Sequence, residues 1–173
     1  MPKFDAEQID ALVHSALTEF IEDFTKSEWW GKEHDCVNRF VHGFLMPKAG
    51  TSPVLTHPTQ IGIEVGVAQP KKLFVRGAAR KDVVIWPQPW MSCWNSKWEP
   101  VNYPIAILEW KVVQPPHKLK CNQHDRDWLS GVAKQRDAFV GYSVTMNRER
   151  GCTERLLVTR FFRQEVQEEW LHL

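Results

Sequence analysis

Two periodicities divide the chain. Ile9, Leu12, Val13, Ala16, Leu17, Phe20, Ile21 and Phe24 recur at helical spacing, so the sequence predicts an amphipathic helix from Asp5 to Lys26 with Asp5 as N-cap. A break at Ser27 and the Trp29-Trp30-Gly31 run precede a second helical stretch, about 32–45. It carries Cys36, Val37, Phe40, Val41 and Phe44 on one face, and Pro47 ends it. Residues 47–58, rich in Pro, Thr, Ser and Gly, read as a loop. The pattern then changes to a period of two over Gln60–Ala68, where Ile61, Ile63, Val65 and Val67 alternate with Gly62, Glu64 and Gly66, the signature of a strand. KDVVIW (81–86) and IAILEWKVV (105–113) are two more strands, and Gln114, Pro115 and Pro116 stop the second. Residues 125–140 read as a helix, a strand around Tyr142, Val144 and Met146 follows, and NRERGCTE turns the chain into a strand at 156–162. The charged C-terminal RQEVQEEWLHL reads as a short helix.

Within 105–113, Glu109 and Lys111 share one strand face and Trp110 points to the other. The flanking residues are apolar on both faces, as in a central strand, where charges are costly unless paired or placed at an exposed end. If KDVVIW pairs alongside, Asp82 brings a second carboxylate to the same end of the sheet. Hard oxygen ligands with a nearby cation make a hydrolytic magnesium site. The competing reading is a cross-strand salt-bridge surface.

Asp82, a hairpin-length gap and then Glu109-x-Lys111 resemble the PD-(D/E)XK nuclease superfamily, with Lys81 where a proline usually precedes the aspartate. The resemblance covers about Glu33 to Phe162. It implies an α/β, restriction-endonuclease-like three-layer core, a mixed β-sheet flanked by helices, with the first helix as an addition. It further implies Mg²⁺ or Mn²⁺ held by Asp82, Glu109 and the Trp110 backbone carbonyl. Lys111 would hold or deprotonate the attacking water or stabilise the oxyanion, and nearby carboxylates favour its charged form. Glu33, in the first turn of the second helix, matches an acidic residue that many members use as a further ligand or water-orienting group. The helix dipole alone also favours a glutamate there. Gln135 has the spacing of a Gln-x-x-x-Tyr pair found in exonuclease branches, but Phe139 lacks the hydroxyl; Gln135 and Lys134 are therefore only partial matches.

Other candidates come from the residues themselves. Glu64, between two glycines, is either a further acidic group of the site or a solvent-facing strand residue. Lys71, Lys72, Arg76, Arg80 and Lys81 form a basic run that either contacts phosphates or protects a hairpin edge by its charge. Residues 86–104 hold four tryptophans, a tyrosine and four prolines, which either stack on unpaired bases or pack as a satellite core, with packing the commoner use.

Composition adds limits. The 173 residues suit a single domain, 1–173, and 43% hydrophobic with 25% charged residues is globular. A net charge of +1 gives no global field toward nucleic acid, so such binding needs a local patch. Cys36, Cys93, Cys121 and Cys152 are scattered without a CxxC pair, and no apolar leader follows the N-terminus, which points to reduced thiols and a cytoplasmic protein without a membrane partner. Cys121 and His124 could begin a zinc site, but no second ligand pair is apparent. The expected function is a metal-dependent nuclease acting on nucleic acid, DNA first, in repair, restriction or defence, as a homodimer or with a protein partner. The alternatives are a catalytically inactive nuclease-like binding module and an RNA-cutting toxin.

Overall fold

A computed structural model describes residues 4–69, 78–149 and 151–173. Helix α1 (Ala6–Lys26) starts where Asp5 accepts the amide protons of Glu7 and Gln8, and it ends on the bond from Ser27 N–H to the Asp23 carbonyl. Helix α2 (Glu33–Phe40) begins as Asp35 turns back to accept the Lys32 amide at 2.9 Å, and it runs on into a π-helical turn, Val41–Leu45. Strands β1 (Ile61–Ala68), β2 (Ala78–Ile85) and β3 (Ala106–Val113) form an antiparallel meander. Helix α3 (Gln123–Gln135), capped by Asn122, crosses over so that β4 (Val140–Asn147) lies parallel to β3. Strands β5 (Leu156–Phe162) and β6 (Glu165–His172) add antiparallel, giving one mixed sheet in the order β1-β2-β3-β4-β5-β6.

The sheet separates two cores. One holds the apolar stripes of α1 and α2 against Val83, Ile85, Leu108, Trp110, Tyr142, Val144 and Val158. The other sets Trp128, Leu129, Val132 and Ala133 of α3 against Val84, Ile107 and Phe161. Gly141 is the point of closest approach: a Cβ there would meet Leu129 Cδ2 at 3.0 Å. The chain is therefore α/β, a mixed sheet flanked by helices.

Three expectations change. The C-terminal segment is strand β6, not a helix; its charged residues face solvent on an edge strand, where charge blocks further pairing. Helix α3 begins at Gln123 and ends at Gln135, because Asn122 caps it and Arg136 is extended, so Phe139 lies beyond it. The alternation predicted for β1 also breaks. Ile61 and Ile63 pack on the α1/α2 side, but Val65 and Val67 pack on the α3 side. The change occurs at Glu64, whose φ of 54° is left-handed. The β1–β2 register is kept through the switch, so β2 changes face with it: Val83 lies on the α1/α2 side and Lys81 on the α3 side. Gly62 makes room for the turned side chain, since a Cβ there would stand 2.5 Å from Val65 Cγ2.

Candidate active site

Strands β2 and β3 pair only from Ile85–Ala106 to Val83–Leu108, and then they part. Beyond that point carboxylates take the place of strand carbonyls. Asp82 Oδ2 accepts the Trp110 amide at 2.7 Å, and Glu109 Oε2 accepts the Asp82 amide at 3.4 Å. One residue pair further along, Glu33 Oε2 accepts the Val112 amide at 3.2 Å, and Glu33 Oε1 accepts from Lys111 Nζ at 3.2 Å. Four residues singled out in the sequence, Glu33, Asp82, Glu109 and Lys111, thus meet at one split in the sheet. Glu33 reaches it because it is the first residue of α2 and Asp35, not Glu33, folds back over the helix start. The Trp110 ring lies on the far side, fully buried against Phe20 and Phe40 at centroid distances of 5.6 and 5.3 Å.

Two further residues belong to the site. Lys81 is 3% exposed; its ammonium is ion-paired with Glu109 Oε1 and lies 3.7 Å above the Trp128 ring centroid. The ring is fixed by its own N–H, which donates to Gln69 Oε1 at 2.6 Å. Asp125, in the first turn of α3, is buried, its Oδ2 has no hydrogen-bond partner, and it interacts electrostatically with Lys111 and Lys81. Sequence reasoning missed Asp125 because an acid in a first helical turn is expected from the dipole alone. It put Lys81 in the exposed basic run because unbroken alternation on β2 gave no sign of the face switch.

The electrostatics are those of carboxylates crowded together and short of solvent. Burial pushes the Glu109 carboxyl up to about 7; Lys81 opposes this, and Asp82 and Asp125 add to it. Burial likewise raises Asp82, against the pull of the Trp110 amide and with repulsion from Glu33 and Glu64. Asp125 is raised by burial against the attraction of Lys111 and Lys81. For Lys111, burial acts to lower the pKa, but the facing Glu33, by charge and hydrogen bond, turns the net shift upward and keeps the ammonium charged. Burial raises the thiols of Cys36, to about 11, and of Cys93 and Cys121, which leaves them poor nucleophiles.

The remaining candidates are scattered. Glu64 stands beside the group, 3.8 Å from His34 Nδ1 and 3.7 Å from the exposed Arg80, and it interacts with Asp82 through charge. Lys134 and Gln135 are exposed at the far end of α3, about 14 Å from Asp125 along a helix rising ~1.5 Å per residue. Lys71, Lys72 and Arg76 lie outside the described residues. Lys81 is not an exposed phosphate contact: its charge is spent inside the protein. The tryptophan-rich loop is packed in part. Trp86 is buried and Trp94 donates to the Gly66 carbonyl at 3.1 Å, while Trp90 and Trp98 are 79% and 80% exposed.

For a divalent cation, no group of three or more His, Cys, Asp and Glu side chains among the described residues is arranged to hold one. The Asp82 and Glu109 carboxylates, which are hard oxygen donors, are each engaged by a backbone amide, and Glu109 also by the Lys81 ammonium. The three carboxyls are raised chiefly by burial, and one Asp125 oxygen has no hydrogen-bond partner. Comparison with family models, curated proteins and solved structures returned no match. The functional reading therefore rests on this geometry.

Proposed function

We propose that the protein is a metal-dependent nuclease that hydrolyses phosphodiester bonds, in DNA first, on a restriction-endonuclease-like fold. The observation that carries the reading is the reciprocal pairing of Asp82 and Glu109 with each other's strand at the β2–β3 split, with Lys111 held beside it by Glu33. The element order, a three-stranded meander followed by a helical crossover to a parallel strand, agrees with the resemblance.

In this reading Asp82, Glu109 and the Trp110 carbonyl would hold Mg²⁺ or Mn²⁺. When bound, the ion supplies Lewis-acid polarisation of a phosphodiester oxygen and a water whose pKa falls from ~15.7 toward neutrality. Lys111, kept charged by Glu33, would orient the attacking water through Nζ and offset the negative charge that develops on the phosphoryl oxygens. Glu33 holds the ammonium in place. Its bond to the Val112 amide ties it to the same strand that carries Lys111.

The test is Mg²⁺- or Mn²⁺-dependent cleavage of closed circular, linear and single-stranded DNA, with RNA alongside. Asp82→Ala and Lys111→Ala should each lower the rate by 10²-fold or more, on the order of what loss of a positioned electrostatic group costs. Nicking of circles marks an endonuclease, and degradation of linear ends alone marks an exonuclease. No cleavage of any substrate by the wild-type protein would refute the reading. One observation favours the second reading, a nuclease-like module that only binds nucleic acid or a protein: the Lys81 ammonium already neutralises Glu109.

A further inference from the structure

We propose that the cleft between α3 and the 86–104 loop binds one nucleotide, with the base seated on the sheet and the phosphate on Arg136. The inference goes beyond the hydrolytic reading and does not require it.

The cleft holds about 350 Å³ on the α3 face of the sheet. That is the small end of the ~300–1,000 Å³ typical of ligand sites, room for a single ring system and not for a run of them. Val67, Ala68, Ile107 and Val132, all buried, supply apolar surface. The cleft follows α3 from Trp128 to Gln135, about 10 Å along a helix rising ~1.5 Å per residue. Trp128 forms a common wall with the carboxylate group, where Lys81 covers its face.

The polar groups stand at its two ends. Gln69 Oε1 is taken by the Trp128 N–H at 2.6 Å, so the Gln69 amide nitrogen is left as a donor, and no described residue accepts from it. Beyond the end of α3 the Arg136 guanidinium lies on the Tyr103 ring, 3.1 Å from its centroid. Stacking on an aromatic face leaves the N–H groups at the guanidinium edge free to bond. Among the described residues no carboxylate or carbonyl accepts from them. No Asp or Glu stands among the described residues of the lining, and Arg136 is the one charge there.

These features select the ligand. A flat uncharged ring suits the apolar surface, and fixed amide donors match a ring nitrogen or carbonyl on the edge of a base. The planar guanidinium at the far end, with no acid beside it, suits an oxyanion bound through two N–H groups. A base alone leaves Arg136 unmet, and inorganic phosphate leaves the apolar surface uncovered. One nucleotide, free or as a unit of a strand, carries both.

The test is calorimetry on the full chain in EDTA, which stops metal-dependent cleavage. It compares nucleoside monophosphates with the matching nucleosides, inorganic phosphate, benzoate and a short single-stranded oligonucleotide. The monophosphates should bind about 10-fold or more tighter than nucleosides, phosphate or benzoate, as a hydrogen bond to a charged group is worth. Arg136→Gln should abolish the advantage of monophosphate over nucleoside. Gln69→Glu keeps an acceptor for Trp128 but replaces the donor, and it should weaken both ligands. Lys118→Gln, which removes an exposed charge outside the cleft, and Asp82→Ala should change neither. An oligonucleotide bound as tightly as the monophosphate or more so assigns the nucleotide to a strand; weaker binding assigns it to a free nucleotide. Absence of nucleotide and oligonucleotide binding, equal binding of benzoate, or binding that both cleft variants leave unchanged overturns the proposal and leaves the nuclease reading standing. Nucleotide binding without cleavage of any substrate overturns the nuclease reading alone.

Discussion

Glu64 holds a left-handed backbone at φ 54° in the middle of a strand, a conformation that costs a non-glycine residue about 1–2 kcal/mol. Its ion pairs, at 3.7 and 3.8 Å and partly exposed, return little of that. Glu64→Gly should therefore match or exceed wild-type stability in urea unfolding, while Glu64→Val, β-branched and intolerant of positive φ, should lose about 1–3 kcal/mol. The carboxyls next to it set a pH dependence. Glu109 moves from 4.5 toward about 7 on folding, and Asp82 and Asp125 shift the same way, so the native state binds more protons than the unfolded chain across that window. Stability should then fall as pH rises from about 4.5 to about 7, the reverse of the usual carboxylate effect. Urea midpoints at pH 5 and pH 8 should show this drop, and Glu109→Gln should flatten it; an equal drop in the variant would assign the dependence elsewhere. At this scale the shared face of Glu109 and Lys111 was legible, since strand parity is written in residue spacing, while Asp82 was placed beside them by an assumed strand pairing and Glu33 by the resemblance alone. Lys81 and Asp125 were not legible. The first depends on one backbone dihedral that period-two alternation cannot express, and the second carries a residue type that two causes explain equally well.

Helix α1 is bound into the sheet by polar contacts as well as by its apolar stripe. Asp10 accepts from Arg160 Nε at 2.8 Å and from the Tyr142 hydroxyl at 2.7 Å, and it ion-pairs with Arg160 Nη2 at 2.8 Å. The group joins α1 to β4 and β5, and burial with the Asp10 charge raises the Tyr142 phenol well above its ordinary range. Asp10→Ala leaves a half-buried guanidinium and a buried hydroxyl without their acceptor, which should cost roughly 2–4 kcal/mol in a chemical denaturation curve. Tyr142→Phe, which removes one donor, should cost about 1 kcal/mol. Elements with one unambiguous period were legible: α1 starts and ends where its cap and apolar stripe predict, and β5 matches residue for residue. Strand β6 was hidden because its exposed face is as charged as a surface helix, and only Trp170 and Leu171 pack inward. The end of α3 was overrun because Phe139 continues the helical spacing from its loop.

Across the whole molecule, the sheet keeps its two cores apart except where β2 and β3 separate, and the charged group fills that gap. Residues on α2, β2, β3 and α3 all contribute, so the group can exist only once both helical layers have docked. Trp110 couples the gap to the larger core, since its amide faces Asp82 while its ring is wedged between Phe20 and Phe40. Trp110→Ala should cost roughly 3–5 kcal/mol and should disturb the site along with the core, to be read as a paired loss of thermal midpoint and of any cleavage activity. No helix among the described residues is long and apolar enough to cross a membrane. The split ladder also leaves a signature that needs no substrate. In an unbroken sheet, amide protons wait on the opening of neighbouring strands; those of Trp110 and Val112 are shielded instead by the carboxylates of Asp82 and Glu33. Their deuterium uptake should therefore quicken when either side chain is shortened, while the amides of Leu108 and Ile107 keep their slow clock, so two mid-strand protons report directly on whether this gap is closed.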